Sequence, residues 1–559
     1  MRISEATAVA DKRNRRGGNQ VASSANVAKL PVAGSAGQKG RFGAKDRIDK
    51  AVTPEIVIAL CGPLGTPLHR VSEILIDLLS RSHDYKCATE IRLSEFIRKL
   101  GKPSDPQSIN DLIEAGNAMR RDHGNSVLAQ LAIRHIATVR LQESSPVPDQ
   151  AQLSLDEVLP PEDAVVPSPV VRHCHIINSI KNRDELELLR SVYGKLLHVI
   201  SVYSPIELRI QELSKKLGEK SEVYKLIDRD SGEEIANGQS VRDIFPQADF
   251  FLRISDGTDD QIKAPLARYL DLLLGAKVIT PTADERAMYE AHSAARNSAC
   301  LSRQVGAAIT DAVGETLAVG WNDVPRSFGG LYEAFGRPEE KNYVDHRCWN
   351  KDGGKCFNDE EKSEIANRLT SALIKEGIVP EAERGKVLAR LRKSSEVRGL
   401  IEFSRAVHAE MHAILNAGHS AGARVKGGKL YVTTYPCHSC ARHIIAAGIT
   451  EVRFIEPYRK SLATRLHADA ITESESDQGK VRIVPFDGVA PARFLDLFSE
   501  GPRGRKDPST GRMLKFRSVA PVTAVTLEAV STLEGLALRE LKSSELDTRL
   551  LDVSPKLGN

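Results

Sequence analysis

His408-Ala409-Glu410 and, further along, Pro436-Cys437-His438-Ser439-Cys440 gather one imidazole, two thiols and one carboxylate. An imidazole nitrogen and two sulfurs are the donor set of a catalytic Zn²⁺ that keeps its fourth position open. His408, Cys437 and Cys440 are the ligands in this reading, which leaves Glu410 for proton transfer. The spacing of Cys437 and Cys440 lets both aim at one metal from the first turn of a helix that continues through His443, and the thiolates then lie near its positive end. A second helix is expected over Ala406–Leu415, with His408 and Glu410 in its N-terminal turn and facing the same site. Zn²⁺ lowers the pKa of a bound water to roughly 7, so a nucleophile exists without general alkalinity. A lone Cys-x-x-Cys is often a structural zinc knuckle or a redox pair, and a lone His-x-Glu carries no information. Their joint occurrence, with Pro directly before the first Cys, is what argues for catalysis.

His-x-Glu followed by Pro-Cys-x-x-Cys is the signature of the zinc deaminases, and at these residues the chain resembles the cytidine/deoxycytidylate deaminase superfamily. Cys300-Leu-Ser-Arg303-Gln-Val305-Gly306-Ala-Ala-Ile309 and Ala318-Val-Gly320-Trp321-Asn322 look like the first hairpin of deoxycytidylate-type enzymes. The resemblance implies that the run containing Arg303 lies beside the substrate and that Asn322 bonds the sugar. One departure is visible: Met411-His412 follow Glu410, where many such enzymes have a residue and then Asn. Contacts near His412 are therefore expected to differ. Tyr458-Arg459-Lys460-Ser461 follow the apolar run Val452–Ile455, and a strand end presenting these groups can hold phosphate through charge-assisted bonds. A solvated charged turn is the plainer alternative for the same residues. Between Pro325 and His408 lies an insertion whose residues 359–405 read as helical. It contains Cys348 and Cys356, two candidate ligands for a second, structural zinc.

The amino-terminal part reads differently. Ile56-Val-Ile-Ala-Leu-Cys61 is an apolar run that ends in Gly62-Pro63-Leu64-Gly65-Thr66-Pro67, after which Val71, Ile74, Leu75, Leu78 and Leu79 repeat at helical spacing. Strand, glycine turn and helix open a phosphate-binding βα unit. Laid on the Walker A pattern, Gly62 and Gly65 match, but Leu68 stands at the phosphate-binding Lys and His69 at the Mg²⁺-binding Ser/Thr. The cradle shape is expected without its point charge, so phosphoryl transfer is not. Further strands are expected at His173–Asn178, His198–Val202 and Ala248–Ile254, and helices at 127–140, Arg183–Val192 and Ile206–Leu217. Apolar strands alternating with helices imply a parallel sheet covered on both faces.

At 559 residues the chain exceeds one ordinary core. Residues 1–50 carry 11 Lys/Arg against 4 Asp/Glu within a net charge of +4, so the basic character belongs to that segment. Residues 1–52 are read as a disordered basic tail, whose Lys12, Arg13, Arg15 and Arg16 are its candidate nucleic-acid contacts. Domain boundaries follow: 53–280 a degenerate P-loop nucleotide-kinase-like domain with an acidic, Pro-rich insertion at 141–170; 281–500 a zinc deaminase domain; 501–559 a C-terminal extension with two helix-like pieces near 525–543. The fold class is α/β, a kinase-like parallel-sheet domain followed by an α/β/α deaminase-like domain with a mixed five-stranded sheet. No apolar run is long enough for a membrane span and no signal-peptide h-region is present, which points to the cytoplasm.

A degenerate kinase-like domain joined to a deoxycytidylate-type deaminase, together with the Arg505-Lys506-Asp507 stretch, resembles the bacterial anti-phage dCTP deaminases over roughly residues 53–515. The resemblance implies zinc-dependent deamination of dCTP or dCMP to deoxyuridine nucleotides, depletion of dCTP as defence, a homo-oligomer, and control by a regulatory nucleotide or RNA at the amino-terminal domain. Two other readings stand beside it. The same chemistry can act on a base in RNA or single-stranded DNA, although only 5% of residues are aromatic and no stacking platform is evident. A binding protein with a structural zinc has no use for Glu410.

Overall fold

A computed structural model describes residues 53–87, 90–144, 172–217, 241–255, 257–336, 342–457, 461–500, 504–513, 521–523 and 527–542, with Val223, Leu226 and Leu546. The basic tail, most of the Pro-rich insertion and Tyr458–Lys460 lie outside these residues.

The first sheet is built on β1 (Ile56–Cys61), fully buried along its length. It pairs in parallel with β4 (His173–Asn178) on one side and β5 (Leu197–Tyr203) on the other. The short β2 (Lys86–Cys87) and β3 (Ile91–Arg92) both pair with β4, and β6 (Phe250–Arg253) extends the sheet beyond β5. Burial on both faces explains why these strands read as unbroken apolar runs. Helix α1 (Leu68–Ser82) packs Val71, Leu75 and Leu79 on one face, while α2 (Val127–Ser144) and α3 (Arg183–Tyr193) cover the other. Asn182 and Glu185 close a reciprocal capping box at the start of α3. Helix α4 (Ile206–Leu217) follows β5, and α5 (Asp259–Leu273) lies beside α1.

Helix α6 (Ala283–Ala295) opens the second part behind a Thr282–Glu285 capping box. A hairpin of β7 (Gly306–Thr310) and β8 (Thr316–Trp321) follows. After the insertion helix α7 (Phe357–Lys375) come α8 (Ala409–Ala421), β9 (Lys429–Thr434), α9 (His438–Ala446) and β10 (Glu451–Glu456). The strand order is β11-β12-β10-β9-β7-β8, with β11 at Ile471–Thr472 and β12 at Val481–Pro485. The sheet therefore has six strands rather than the expected five. The added strand is two residues long and pairs in parallel with Val481 and Arg482, too short to show any period of its own.

Small residues let helices lie directly on the hairpin. A Cβ on Gly306 would sit 1.9 Å from the Ala291 carbonyl oxygen in α6, and one on Gly320 only 2.3 Å from the Ala413 nitrogen in α8. Alternation along β7 sends Ala308 toward Ala287 and Ala291, and Ala307 with Ile309 toward Ala409 and Ala413. The hairpin is thus held between two helices whose backbones approach it closely at Gly306 and Gly320.

Two features tie the parts together. Strand β13 (Gly488–Val489), which follows the second sheet in sequence, pairs antiparallel with Phe250 and Phe251 at the edge of the first. Chain from the 281–500 segment thus crosses the boundary expected at residue 280. Arg493 then donates from Nε to Asp249 at 2.7 Å. Within the stretch expected to hold two helical pieces, the described residues form one helix, α10 (Leu527–Lys542). It packs on α2, where part-buried Arg140 bridges Glu534 at 2.6 Å and Glu55 at 2.6 Å. A guanidinium this deep is tolerated because two carboxylates meet it.

Candidate active site

The site forms where two helix N-termini meet. His408 is the N-cap residue of α8, so the helix begins at Ala409 and not at Ala406 as expected from the sequence. The residue before it is pinned by a 2.9 Å bond from the Val407 N–H to the Asp323 carbonyl. Cys437 is the N-cap of α9, and its sulfur accepts from the Cys440 N–H at 3.4 Å. Both sulfurs lie 3.3 Å from His408 Nδ1. The three ligand atoms lie within 4.8 Å of one another, the only such metal-binding group among the described residues. Zinc bonds of ordinary length at tetrahedral angles require nitrogen and sulfur about 3.6 Å apart. One borderline and two soft donors at this spacing fit Zn²⁺.

Electrostatics follow from burial and from the helix ends. The hydrogen bond from Cys440, with His408 alongside, pushes the Cys437 thiol down to about 4, and the same bond drives Cys440 up. Cys437 in turn holds the His408 imidazole up at about 9 against its burial. Glu410, in the first turn of α8 and 4% exposed, is raised to about 7 because burial penalises its charge. A carboxyl poised there can both accept and release a proton near neutrality.

The remaining sequence candidates take varied places. Asn322 is buried and clamps the hairpin entry, its Nδ2 donating to the Arg303 carbonyl at 2.9 Å and its Oδ1 accepting from the Val305 N–H at 2.7 Å. Arg303 lies at the rim and pairs with Glu456 at 2.8 Å. Ser461 donates to the Pro436 carbonyl at 2.7 Å, bracing the loop that carries Cys437. His412 is a clamp rather than a pocket group: the Trp321 N–H donates to its Nδ1 at 3.2 Å and the Trp321 ring meets it edge-on.

Asp323 was not singled out in the sequence. It is buried, accepts from the Ala299 and Val324 N–H groups, and meets Arg347 at 3.4 Å, while Arg347 is forked onto Asp345. This buttress joins the insertion to the bridge beside His408. The adjacent Asn322-Asp323 pair was its only sequence signal. Cys356 lies 3.4 Å from the Ser302 hydroxyl and Cys348 4.0 Å from Arg405, and among the described residues neither belongs to a group of three ligands at metal-binding spacing.

The turn after β1 is closed rather than open. Gly65 has φ +87°, and a Cβ there would sit 2.7 Å from the Arg209 carbonyl of α4. Arg209 Nε donates to the Leu64 carbonyl at 2.7 Å, the Thr66 N–H to the Pro63 carbonyl at 3.0 Å, and Lys181 Nζ to the Gly62 carbonyl at 2.9 Å. Leu68 is buried behind Pro67, and His69 is bound to Glu90 and Arg92.

Residues 281–456 match the family described as the cytidine and deoxycytidylate deaminase zinc-binding region. Of individual relatives, a deoxycytidylate deaminase from mouse is 41% identical over 109 residues, 20% of this chain and 53% of the mouse protein. That of Enterobacteria phage T4 is 29% identical over 174 residues, 31% of this chain and 76% of its own. ComE operon protein 2 of Bacillus subtilis is 45% identical over 56 residues, 29% of its length. The chain thus spans about half or less of the mouse and Bacillus relatives. Among solved structures, a dCMP deaminase of cyanophage S-TIM5 in complex with dCMP and dUMP aligns over 37% of this chain and 99% of its own, at 19% identity and a TM-score of 0.22. Among the described residues, no helix is long and apolar enough to cross a membrane.

Proposed function

We propose that the chain is a zinc-dependent deaminase of deoxycytidine nucleotides, converting dCTP, or dCMP, and water to the deoxyuridine nucleotide and ammonia. The observation that carries this reading is Glu410, a buried carboxyl in the first turn of α8, two residues from His408 in the His408–Cys437–Cys440 group. A purely structural zinc needs no such neighbour.

His408, Cys437 and Cys440 would hold Zn²⁺, which when bound supplies a Lewis acid that makes water nucleophilic near neutral pH. Glu410 takes a proton from the attacking water, delivers it to the ring nitrogen beside the amino-bearing carbon, and later passes a proton to the departing amine. In this reading Asn322 is assigned to the sugar, Arg303 to the run beside the substrate, and Tyr458, Arg459, Lys460 and Ser461 to the phosphates. The Ser461 bond to Pro436 supports placing that segment beside the metal loop.

The first sheet is the kinase-like domain of the same reading, at residues 53–280. Support comes from β1 lying between β4 and β5 with the glycine turn at its carboxyl end. The closed turn, with no Lys at position 68, fits a domain that has lost phosphoryl transfer and serves control. Depletion of dCTP against phage in the cytoplasm is the biological role that goes with this architecture.

The test is ammonia release by the purified chain with dCMP, dCTP, CTP and single-stranded DNA. Turnover of dCTP or dCMP is expected, and turnover of single-stranded DNA alone would overturn the substrate assignment.

A further inference from the structure

Beyond Asn322 the chain turns back on itself in a short hairpin. Pro325 forms an antiparallel bridge with Leu331, the Tyr332 N–H donates to the Val324 carbonyl at 3.0 Å, and the Arg326 N–H donates to the Gly330 carbonyl at 3.1 Å. Buried Val324 and Leu331 anchor its base. Its root is fixed beside the metal group, because Asp323 bridges Val407, the residue before His408. The tip, Ser327-Phe328-Gly329-Gly330, is exposed throughout.

Phe328 is out of place by two measures. Its φ is +65°, in the left-handed region that a bulky side chain rarely occupies. Its ring is also fully exposed, so no packing compensates the backbone. Single exposed apolar residues are ordinary, but a large ring held at positive φ is not. The turn itself does not call for it: Gly329 and Gly330 follow with φ of +107° and +79°, and glycine here would continue the turn without strain. Strained positions of this kind are kept where a contact made in another state uses them.

Five residues separate Phe328 from Asp323, so the ring stays within about 17 Å of a root that touches the residue before a metal ligand. A Cβ on Gly329 would meet nothing within 4 Å, which leaves the tip room to turn. We infer that the 324–332 hairpin is an aromatic lid, and that Phe328 closes on the pyrimidine base presented to the metal, stacking on its face and shutting out bulk water. The inference deepens the deaminase reading and rests on it. The lid meets the plane of the base and not the phosphates, so its loss weakens dCMP and dCTP alike.

The test replaces Phe328 in the zinc-loaded full chain and follows turnover of both nucleotides, melting temperature and mass in solution. Phe328→Gly sheds strain and loses no contact, so it should melt no lower than the parent. It should nevertheless lose about tenfold or more in kcat/KM on whichever nucleotide the parent turns over. Phe328→Trp should retain turnover, and when it is added to Glu410→Gln its indole emission should change saturably with dCMP, relative to Glu410→Gln alone. Parental kcat/KM in Phe328→Gly, a lower melting temperature for that variant, or unchanged emission would overturn the lid. So would a fall in solution mass, which would make the tip an anchor for a second copy of the chain. A parent without turnover breaks the deaminase reading and takes the lid with it, whereas an active parent matched by Phe328→Gly breaks the lid alone.

Discussion

The turn after β1 and the helix start at Cys437 use the same backbone device, a strand end feeding a helix N-terminus, and the helix start at His408 meets the latter. They differ in what side chains they place there. At the metal group, the helix starts bring four reactive groups together: an imidazole, two sulfurs and a buried carboxyl. At the glycine turn, Leu68 is buried, His69 is held by Glu90 and Arg92, and α4 lies against Gly65. Helix ends furnish a local field in both places. The difference teaches that the field alone makes no active site, since the side chains within a turn of it decide.

The largest expected effect is metal removal. Dialysis against a chelator should abolish deamination and Zn²⁺ should restore it. Hydrogen exchange of β1, β4 and β5 should stay unchanged, which would show that the first sheet stands without the metal. Next comes Glu410→Gln, expected to lower kcat by about 10³-fold or more while elemental analysis still finds one zinc per chain. Gly320→Val should cost about 3 kcal/mol in chemical denaturation, because its Cβ would meet α8 backbone.

The turn should respond more weakly. Gly65→Ala combines a positive φ with contact against Arg209, and a loss of about 2 kcal/mol with full deaminase activity is expected. Leu68→Lys restores the missing charge and should still give no ATP hydrolysis above background, because α4 closes the cradle. Phosphate release from that variant would break the contrast.

What could be read in the sequence follows from these physical differences. β1, β4 and β5 are buried on both faces, so each is a continuous apolar run bounded by turns, and the expected spans fell within a residue of the strands. The ligands were legible because thiol spacing on a helix is a local matter. β11 and β13 are two residues each and exist only through pairing, with β12 and with the distant β6, so no local period announces them. Asp323 has no local pattern to mark it, because its partner Arg347 lies across the start of the insertion. α10 shows a helical period, but nothing in that period says that Glu534 will meet Arg140.

The pairing of Gly488 and Val489 with Phe251 and Phe250 orders events during synthesis. As the ribosome releases the first sheet, the outer edge of β6 waits with unpaired amides until the chain beyond the metal-binding sulfurs has emerged. A truncated product ending near residue 280 would carry that sticky margin permanently and should aggregate, whereas the finished polypeptide seals it with its own later segment.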